Sequence, residues 1–435
     1  MKSVIHEEMK RILPYRWCIF WVLAAEYLIV YFHRVSPAVV ASELIDSFSI
    51  SGASLGFLAS AYFYPYAIMQ IPVGILSDSW GAKKTIILFS LIASFGAICF
   101  GSSPGFKIAV ASRALVGFGL SAIFIATMCI LAQWFRAMEL ARVSGLLMAV
   151  GGAGWFLATT PLALLSQRFG WRASIIAVGV VSLLVVLLIW LIVKDTPEEE
   201  GPGKTAGKAD GPVTKKRNTI EDLKIILKNK SFWAISIWFI MRGGALFGFC
   251  GLWAGPYLTD VYKLSGGPAG NILSMVALAI ITISPVMGHI SDKTLMSRKK
   301  VLVGTSVLNV LCWLVMLLFF ENLPIAVLYV LFFFMGITIS SVGTIAIVTA
   351  KELFPHEMAG TSMGATNLFP FIGAVIFQPF MGYVLDKGGK TGGMYTLSSY
   401  RILLWVFFIT SIIALISIMQ CRETFRKEQF SRSER

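Results

Sequence analysis

The sequence predicts an all-α membrane protein with about twelve transmembrane helices in two six-helix bundles. Three observations carry this prediction: the composition, the spacing of the apolar runs and an internal repeat. The chain has 435 residues, of which 57% are hydrophobic and 14% charged, and its mean hydropathy is +0.77. Soluble domains carry about 25% charged residues, so a water-soluble core cannot hide this much apolar surface. The composition therefore excludes a soluble enzyme.

The apolar runs define the predicted helices one by one. A helix needs roughly 20 mostly apolar residues to cross a bilayer. Long, uniformly apolar runs favour helices over barrel strands, since lipid leaves no other way to satisfy the backbone. The first run is too long for a signal-peptide core and is expected to remain as the first helix. The predicted spans are 17–41, 53–77, 85–103, 106–134, 142–167, 172–193, 232–258, 269–291, 300–320, 324–350, 361–385 and 400–421.

The longest polar break lies between residues 194 and 230 and is rich in Gly, Pro and Lys. This composition indicates a flexible linker, whose last part, 220–227, is expected to form a short amphipathic helix at the membrane surface. The sequence therefore divides into four parts: an N-terminal bundle (1–194), a linker (195–230), a C-terminal bundle (231–421) and a tail (422–435).

The net charge of +14 is distributed asymmetrically about the predicted spans. Of the 37 Lys and Arg residues, 27 lie on the side of the termini, seven lie on the opposite side and three lie inside spans. This is the positive-inside pattern, which places both termini in the cytoplasm. The placement of the charge therefore indicates a multi-pass protein in contact with the lipid bilayer and not with nucleic acid. The short loops suggest that this membrane is a bacterial inner membrane.

A turn of the form Gly-x-x-x-Asp, followed by basic residues, occurs once in each half of the chain. The two copies are 214 residues apart, about half of the chain length, and each falls between two apolar runs. Such a repeat indicates a duplicated transporter with its substrate site between the halves. Solvated anchoring charges are the simpler interpretation of the same residues. The predicted gate residues of these turns are Gly74, Asp78, Gly81, Lys83, Lys84, Gly288 and Asp292.

Three arginines, Arg34, Arg113 and Arg242, fall inside predicted spans, where Glu26 is the only acid well inside. Charges in a span are costly and usually face a water-filled path or a partner. Their surplus of positive charge favours an anionic cargo, because guanidinium groups bind carboxylate or phosphate through paired hydrogen bonds. The competing interpretation pairs these arginines with backbone carbonyls or with Glu26.

Glu26 and His33 are the candidate proton-binding residues. They are seven positions apart, so they lie about 20° from one another around a helix. His33 titrates near neutral pH, and burial can bring a carboxyl group there. A static pair that only locks the packing of helices is the alternative.

A polar stripe on the second predicted helix consists of Tyr62, Tyr66 and Gln70, which recur every four residues. It suits hydrogen bonding to a polar cargo, although aromatic packing competes with this role. Asn367 and Gln378 are weaker candidates for the same role on the eleventh helix.

Four glycines of the fifth helix are expected to let neighbouring helices approach closely. They are Gly145, Gly151, Gly152 and Gly154. No P-loop and no metal or nucleophile constellation stands out, and the six cysteines lack metal-ligand or redox spacing. The sequence therefore predicts no cofactor, and neither a soluble nor a membrane enzyme.

The motifs resemble those of the major facilitator superfamily over essentially the whole chain. The turn that begins at Gly74 is similar to the superfamily's signature between helices two and three. The segment from Arg113 to Gly119 is similar to its helix-four signature. The resemblance implies alternating access, a conformational or gating role for Arg113, and a charge network in which Asp78 pairs with Arg136 or Arg142.

A narrower resemblance is to the anion:cation symporter branch, carried by Tyr66-x-x-x-Gln70-Ile-Pro72 and by Gly170-Trp171-Arg172. That branch carries sugar acids and other organic anions. The chain departs from its pattern at two positions: His33 stands where an acid is usual, and Leu120 stands where a glutamate is often found.

Together these observations predict a secondary transporter that moves a small organic anion by alternating access, with protons as the coupling ion. The alternatives are an organophosphate/phosphate exchanger, an amino-acid carrier, a drug exporter and, in a different class, a non-transporting membrane sensor. One chain contains both halves of the pathway, which is compatible with a monomer.

Overall fold

The computed structural model describes residues 2–197, 219–355 and 358–425. Helices dominate these ranges, so the predicted all-α class is confirmed. The remaining element is one antiparallel hairpin, in which β1 (Lys390–Thr391) pairs with β2 (Met394–Tyr395). Much of the predicted linker and the end of the tail lie outside the described residues.

The N-terminal half is built from ten helical segments. Several predicted spans are broken into shorter pieces, most clearly the second, which is divided near Tyr62 and at Met69. The segments are α1 (Lys2–Val39), α2 (Ala41–Phe48), α3 (Gly52–Ser60), α4 (Phe63–Ile68), α5 (Gln70–Trp80), α6 (Ala82–Gly101), α7 (Phe106–Leu120), α8 (Ile123–Trp134), α9 (Ala137–Leu157) and α10 (Thr160–Ile192).

Three π-helical segments interrupt the helices of the C-terminal half: Gly244–Trp253, Ile290–Thr294 and Val342–Ala346. Before this half stands α11 (Thr219–Leu227), which confirms the short helix expected at the end of the linker. The α-helices that follow are α12 (Lys230–Gly243), α13 (Ala254–Tyr262), α14 (Gly266–His289), α15 (Arg298–Leu318), α16 (Ile325–Ser341), α17 (Ile347–Glu352), α18 (Ala359–Asn367), α19 (Phe369–Gly388) and α20 (Leu397–Gln420).

Ten helical stretches of the described chain are long and apolar enough to cross a membrane, and an eleventh is the bent pair Ala41–Phe48 and Gly52–Ile68. One stretch, Arg142–Ile192, has 51 residues. Fully helical, it would be about 76 Å long at 1.5 Å per residue, more than two hydrocarbon thicknesses. It contains Gly170 at φ 80°, between the predicted fifth and sixth spans. We therefore count this stretch as two passes, which accounts for the predicted twelve.

The two halves pack against each other mainly along four pairs of elements. Helix α19 lies against α3, α14 lies against α9 and α10, and the first π-helical segment lies against α1.

Three of the four predicted glycines allow neighbouring helices to approach closely. A Cβ atom at Gly154 would lie 2.0 Å from the Leu28 carbonyl oxygen, and one at Gly152 would lie 2.7 Å from Ile281 of the other half. Gly151 lies against the ring of Tyr31, whereas Gly145 has nothing within 4 Å, so the expectation for Gly145 was wrong.

We expect Gly154→Ala to destabilise the protein, because the added methyl group forces α9 away from α1. Overpacking of this kind costs roughly 1–3 kcal/mol. The measurement is the apparent unfolding temperature of the purified protein in detergent. Gly304→Ala is the matched control, since Gly304 is also helical and has nothing within 4 Å of the new Cβ atom. Equal unfolding temperatures for the two variants would contradict the close approach.

Candidate functional site

A central cavity lies between the two halves, with about 810 Å³ of empty space, open space at its mouth included. Helices α1, α4, α8 and α9 line it from one half, and α12, α14 and α16 to α19 with two π-helical segments line it from the other. Eight of its 21 lining residues are aromatic. Its one charged lining residue among the described side chains is Arg34.

The Arg34 guanidinium group is buried within a set of aromatic rings. Its Nη2 donates a 2.5 Å hydrogen bond to the hydroxyl oxygen of Tyr66. Its Cζ lies 4.8 Å from the centroids of both the Tyr31 and the Tyr66 ring, and 5.4 Å from that of Phe371. No described carboxylate pairs with it, and its Nε makes no hydrogen bond. The rings stabilise the cation but do not neutralise it.

The polar stripe of the second span is only partly exposed to the cavity. Tyr66 lines it, whereas Tyr62 is fully buried and stacks on Tyr66 with ring centroids 5.6 Å apart. Gly117 allows this burial, because a Cβ atom there would lie 1.9 Å from the Tyr62 carbonyl oxygen. Gln70 accepts a 3.2 Å hydrogen bond from the Asn367 amide, which links the halves one turn from Tyr66. Asn367 also lines the cavity, as a cargo-binding role requires.

The other two deep arginines do not line the central cavity, so Arg242, a predicted cargo-binding residue, lies away from it. Arg113 donates a 3.1 Å hydrogen bond to the His33 carbonyl oxygen and lies between the rings of Tyr62 and Phe100. Arg242 lines a separate cavity inside the C-terminal half, beside the ring of Trp238. All three of its guanidinium nitrogens lack a hydrogen bond to described residues.

Gln378, a predicted cargo-binding residue, does not line the cavity either. Its amide nitrogen donates a 2.9 Å hydrogen bond to the Phe247 carbonyl oxygen. The backbone carbonyl oxygen of Gln378 accepts a 3.0 Å hydrogen bond from the Trp253 indole N–H. Both partners belong to the π-helical segment Gly244–Trp253, so Gln378 fixes this segment and with it the cavity-lining ring of Phe247.

Glu26 and His33 lie in the N-terminal half and do not line the cavity. The Glu26 carboxyl group is fully buried and accepts a 3.1 Å hydrogen bond from Ser182, which in turn accepts a 2.8 Å bond from Ser94. No described cation pairs with Glu26, and His33 Nδ1 makes no hydrogen bond. The static Glu–Arg or Glu–His pair is therefore not seen.

The repeated turns make their described contacts within their own halves. In the first copy, Gly81 has φ 103° and the Lys83 backbone N–H donates a 2.8 Å bond to Asp195. In the second copy, Arg298 pairs with Asp292 and, at 3.3 Å, with Glu352. The Asp78 side chain lies outside the described residues, so its predicted partners are untested. The Gly74 and Gly288 positions have open space around them, and Lys84 and Arg142 are exposed.

One further charge contact on this side joins Arg16 of α1 to Glu139 at the start of α9. The two guanidinium nitrogens lie 3.0 and 3.1 Å from the two carboxylate oxygens. The Arg136 backbone N–H and the Arg16 guanidinium lower the pKa of Glu139, so the pair stays ionised at neutral pH.

Within the described ranges, no group of three or more His, Cys, Asp or Glu residues could hold a metal ion.

Comparison with known proteins identifies the fold. The family model described as Major Facilitator Superfamily matches residues 19–377 and 251–433. The chain belongs to this superfamily. The crystal structure of a D-xylose-proton symporter has the same major facilitator fold, with a TM-score of 0.74 at 13% identity, covering 95% of this chain and 99% of that one.

Two curated relatives of this major facilitator chain come from Bacillus subtilis (strain 168). The uncharacterized transporter YybO is 24% identical over 94% of this chain and 96% of its own length. A hexuronate transporter is 23% identical over 85% of this chain and 88% of its own length. The family model confirms the predicted superfamily.

Asp386 is a candidate functional residue that the sequence analysis missed. It lies on the side of the membrane opposite the N-terminal end of the first membrane span, which we call the far side. Its two carboxylate oxygens accept 2.7 Å hydrogen bonds from the backbone N–H groups of Gly52 and Ala53, at the start of α3 in the other half. The sequence contained a signal, because Gly382 and Asp386 repeat the Gly-x-x-x-Asp spacing of the two turns.

We expect Asp386→Asn to weaken the closure of the far side, because an amide loses the charge that favours a helix N-terminus. Hydrogen bonds to charged groups contribute about 1.5–3 kcal/mol, so the separated population should rise about tenfold. The measurement is the distance distribution between spin labels at Ser102→Cys and Asn322→Cys, two exposed far-side positions, in a variant without other cysteines.

Asp46→Asn is the matched control, since Asp46 is an exposed acid of α2 on the same side. Asp386 has no role in closure if its variant and the control give the same distance distribution.

Proposed function

We propose that this chain is a transporter of a small organic anion, whose anionic group binds Arg34 in the central cavity. The observation that carries the proposal is the state of Arg34: a buried cation that lines the cavity without a described carboxylate partner. A carboxylate cargo supplies the missing charge through hydrogen bonds from the guanidinium group. The hexuronate transporter among the relatives supports an anionic cargo.

Alternating access explains how Arg34, the proposed cargo-binding residue, can be buried in this structure. The halves pack closely on the far side, where Asp386 joins α19 to α3, and Gly255 lies against the Ala38 carbonyl oxygen. Transport requires these contacts to separate while the halves close on the other side. We propose that the protein lies in a bacterial membrane. We place both termini in the cytoplasm, because the basic residues are concentrated on their side of the membrane.

We further propose that protons drive the transport and that Glu26 binds the proton. Its buried carboxyl group has a hydroxyl partner, Ser182, and no described cation, a setting that accommodates the neutral form. It lies on α1, eight residues from Arg34, so a shift of this helix would connect its protonation to the cavity. Anion exchange is the competing mechanism, in which Glu26 is structural.

We expect Arg34→Ala to abolish anion binding, because it removes the only described cation of the cavity wall. Removing one partner of a buried charge pair costs about 2–5 kcal/mol, which corresponds to at least about 30-fold in Kd. The measurement is ligand-induced thermal stabilisation of the purified protein by carboxylates, sugar phosphates and neutral or zwitterionic compounds, followed by flux in proteoliposomes.

Arg34→Lys is the matched control, since it keeps the charge and loses the planar fork of donors. We expect it to retain part of the binding. Stabilisation by neutral or zwitterionic compounds that survives Arg34→Ala would overturn the anion proposal.

We expect Glu26→Gln to abolish anion accumulation driven by a pH gradient while leaving anion binding intact, because glutamine cannot carry the proton. The measurement is uptake of the radiolabelled anion into proteoliposomes with and without an imposed gradient. Glu321→Gln, at an exposed position between α15 and α16, is the control. Gradient-independent uptake by the wild type that requires internal anion would establish exchange instead.

A further inference from the structure

A second cavity lies within the C-terminal half, beside Arg242. It has about 210 Å³ of empty space, open space at its mouth included, against about 810 Å³ for the central cavity. Helices α12, α15 and α16 line it together with the π-helical segment Gly244–Trp253, so its described wall belongs to one half alone. Pockets for organic ligands measure about 300–1,000 Å³. This cavity therefore suits a smaller particle, such as a water molecule or a single ion.

Hydrogen-bond donors without partners converge on this cavity. Arg242 is 2% exposed, and its Nε, Nη1 and Nη2 atoms make no hydrogen bond to described residues. The indole N–H of Trp313, which lines the same cavity, also lacks a partner in the described chain. Asn309 adds a buried amide to the wall, one helical turn before Trp313. Buried donors nearly always have an acceptor, so these side chains indicate one that the protein itself does not supply.

The positive charge of Arg242 is not compensated by the described protein either. The residue lies near the middle of the span Lys230–Tyr262, where a charge is unfavourable without a counter-ion. The described wall of this cavity contains no acid, and none of the described ion pairs includes Arg242. The Trp238 ring, whose centroid lies 5.7 Å from the guanidinium carbon, stabilises the cation without neutralising it. Water accepts hydrogen bonds, but only an anion supplies both an acceptor and the opposite charge.

We propose that the C-terminal half binds one small monovalent inorganic anion, of the size of chloride, between Arg242, Trp313 and Asn309. A single negative charge balances the single guanidinium group, whereas a divalent oxyanion such as sulfate is larger and leaves a surplus. The three side chains belong to α12 and α15, so the bound anion joins these two helices. It is a resident ion and not the cargo, because its ligands lie in one half and do not separate when the halves move.

This site is separate from the one proposed for the cargo. Ile339 is the one described residue that lines both cavities, and Arg34 lines only the central one. Binding of the inorganic anion is therefore independent of Arg34 and of the cargo that the protein carries.

The experiment measures the apparent unfolding temperature of the full-length protein in detergent while sodium chloride replaces sodium sulfate at constant ionic strength. Bromide and nitrate are tested in the same way. Relative to Arg242→Met, which reports the general effect of each salt on stability, we expect the wild type to gain about 3–5 °C at saturating monovalent anion. Arg34→Ala should show the same gain as the wild type.

Arg242→Met removes the charge and the donors and leaves an unbranched apolar side chain. Replacing a buried charge by an apolar residue is often neutral or stabilising, so we expect this variant to fold. Arg401→Met is the matched control, since Arg401 is an exposed arginine of α20 in the same half. It should keep the full response to chloride, bromide and nitrate.

Bromide also allows a measurement on the wild type alone, which decides the question if Arg242→Met does not fold. Crystals grown in bromide should give an anomalous difference peak between the Arg242 guanidinium group and the Trp313 indole N–H. The absence of this peak, or an equal response in the wild type and Arg242→Met, would overturn the inference and leave water or a thiolate at Cys250 as the partner of Arg242.

The variants also distinguish this inference from the proposed function. A response that is lost in Arg34→Ala and kept in Arg242→Met would overturn the inference, because the inorganic anion would then bind in the central cavity. That result would leave the anion site at Arg34 standing. Failure of carboxylates to bind at Arg34 would, in turn, leave the response that depends on Arg242 unchanged.

Discussion

The buried charge of Arg34 is the constraint on which the site depends. A guanidinium group in the middle of a bilayer is unfavourable unless it meets water, a counter-ion or polarisable groups. Here four aromatic rings surround it and the Tyr66 hydroxyl accepts its hydrogen bond. These contacts come from both halves, since Tyr31 and Tyr66 belong to the first and Phe247 and Phe371 to the second. The cation thus lies where relative movement of the halves changes its surroundings.

The π-helical segment Gly244–Trp253 explains how Phe247 reaches this position. A π-helical turn displaces side chains from the ordinary helical register, and such turns often occur at functional sites. Gln378 holds the segment in place from α19, while Gly243 and Gly244 allow α19 to lie against its start. The aromatic side of the cavity is therefore built by packing inside the C-terminal half, and it reaches Arg34 only when the halves meet.

The sequence predicted the architecture because membrane helices are encoded locally, in length and apolar composition. It also placed Arg34, Tyr66 and Asn367 correctly at the cavity, since a charge or a polar stripe in a span has few other places to go. Arg242 and Gln378 do not line this cavity, because the face that a helix presents to the cavity depends on π-helical register and on neighbouring helices. A hydropathy pattern contains no information about the π-helical register or about which helices are neighbours. Asp386 was missed because it lies near the end of a helix on the side of the membrane with few basic residues.

Two of the three Gly-x-x-x-Asp motifs have described acids, and the different contacts of these two acids bear on the transport cycle. Asp292 pairs with Arg298 inside its own half, whereas Asp386 caps the start of α3 in the other half. A cap of this kind gains from two backbone N–H groups and from the helix dipole, and it is lost entirely when the halves separate. The far side is thus held by a contact that forms or breaks as a unit. This contact therefore stabilises the arrangement that is closed on the far side. The free energy of binding a cargo at Arg34 can offset that stabilisation.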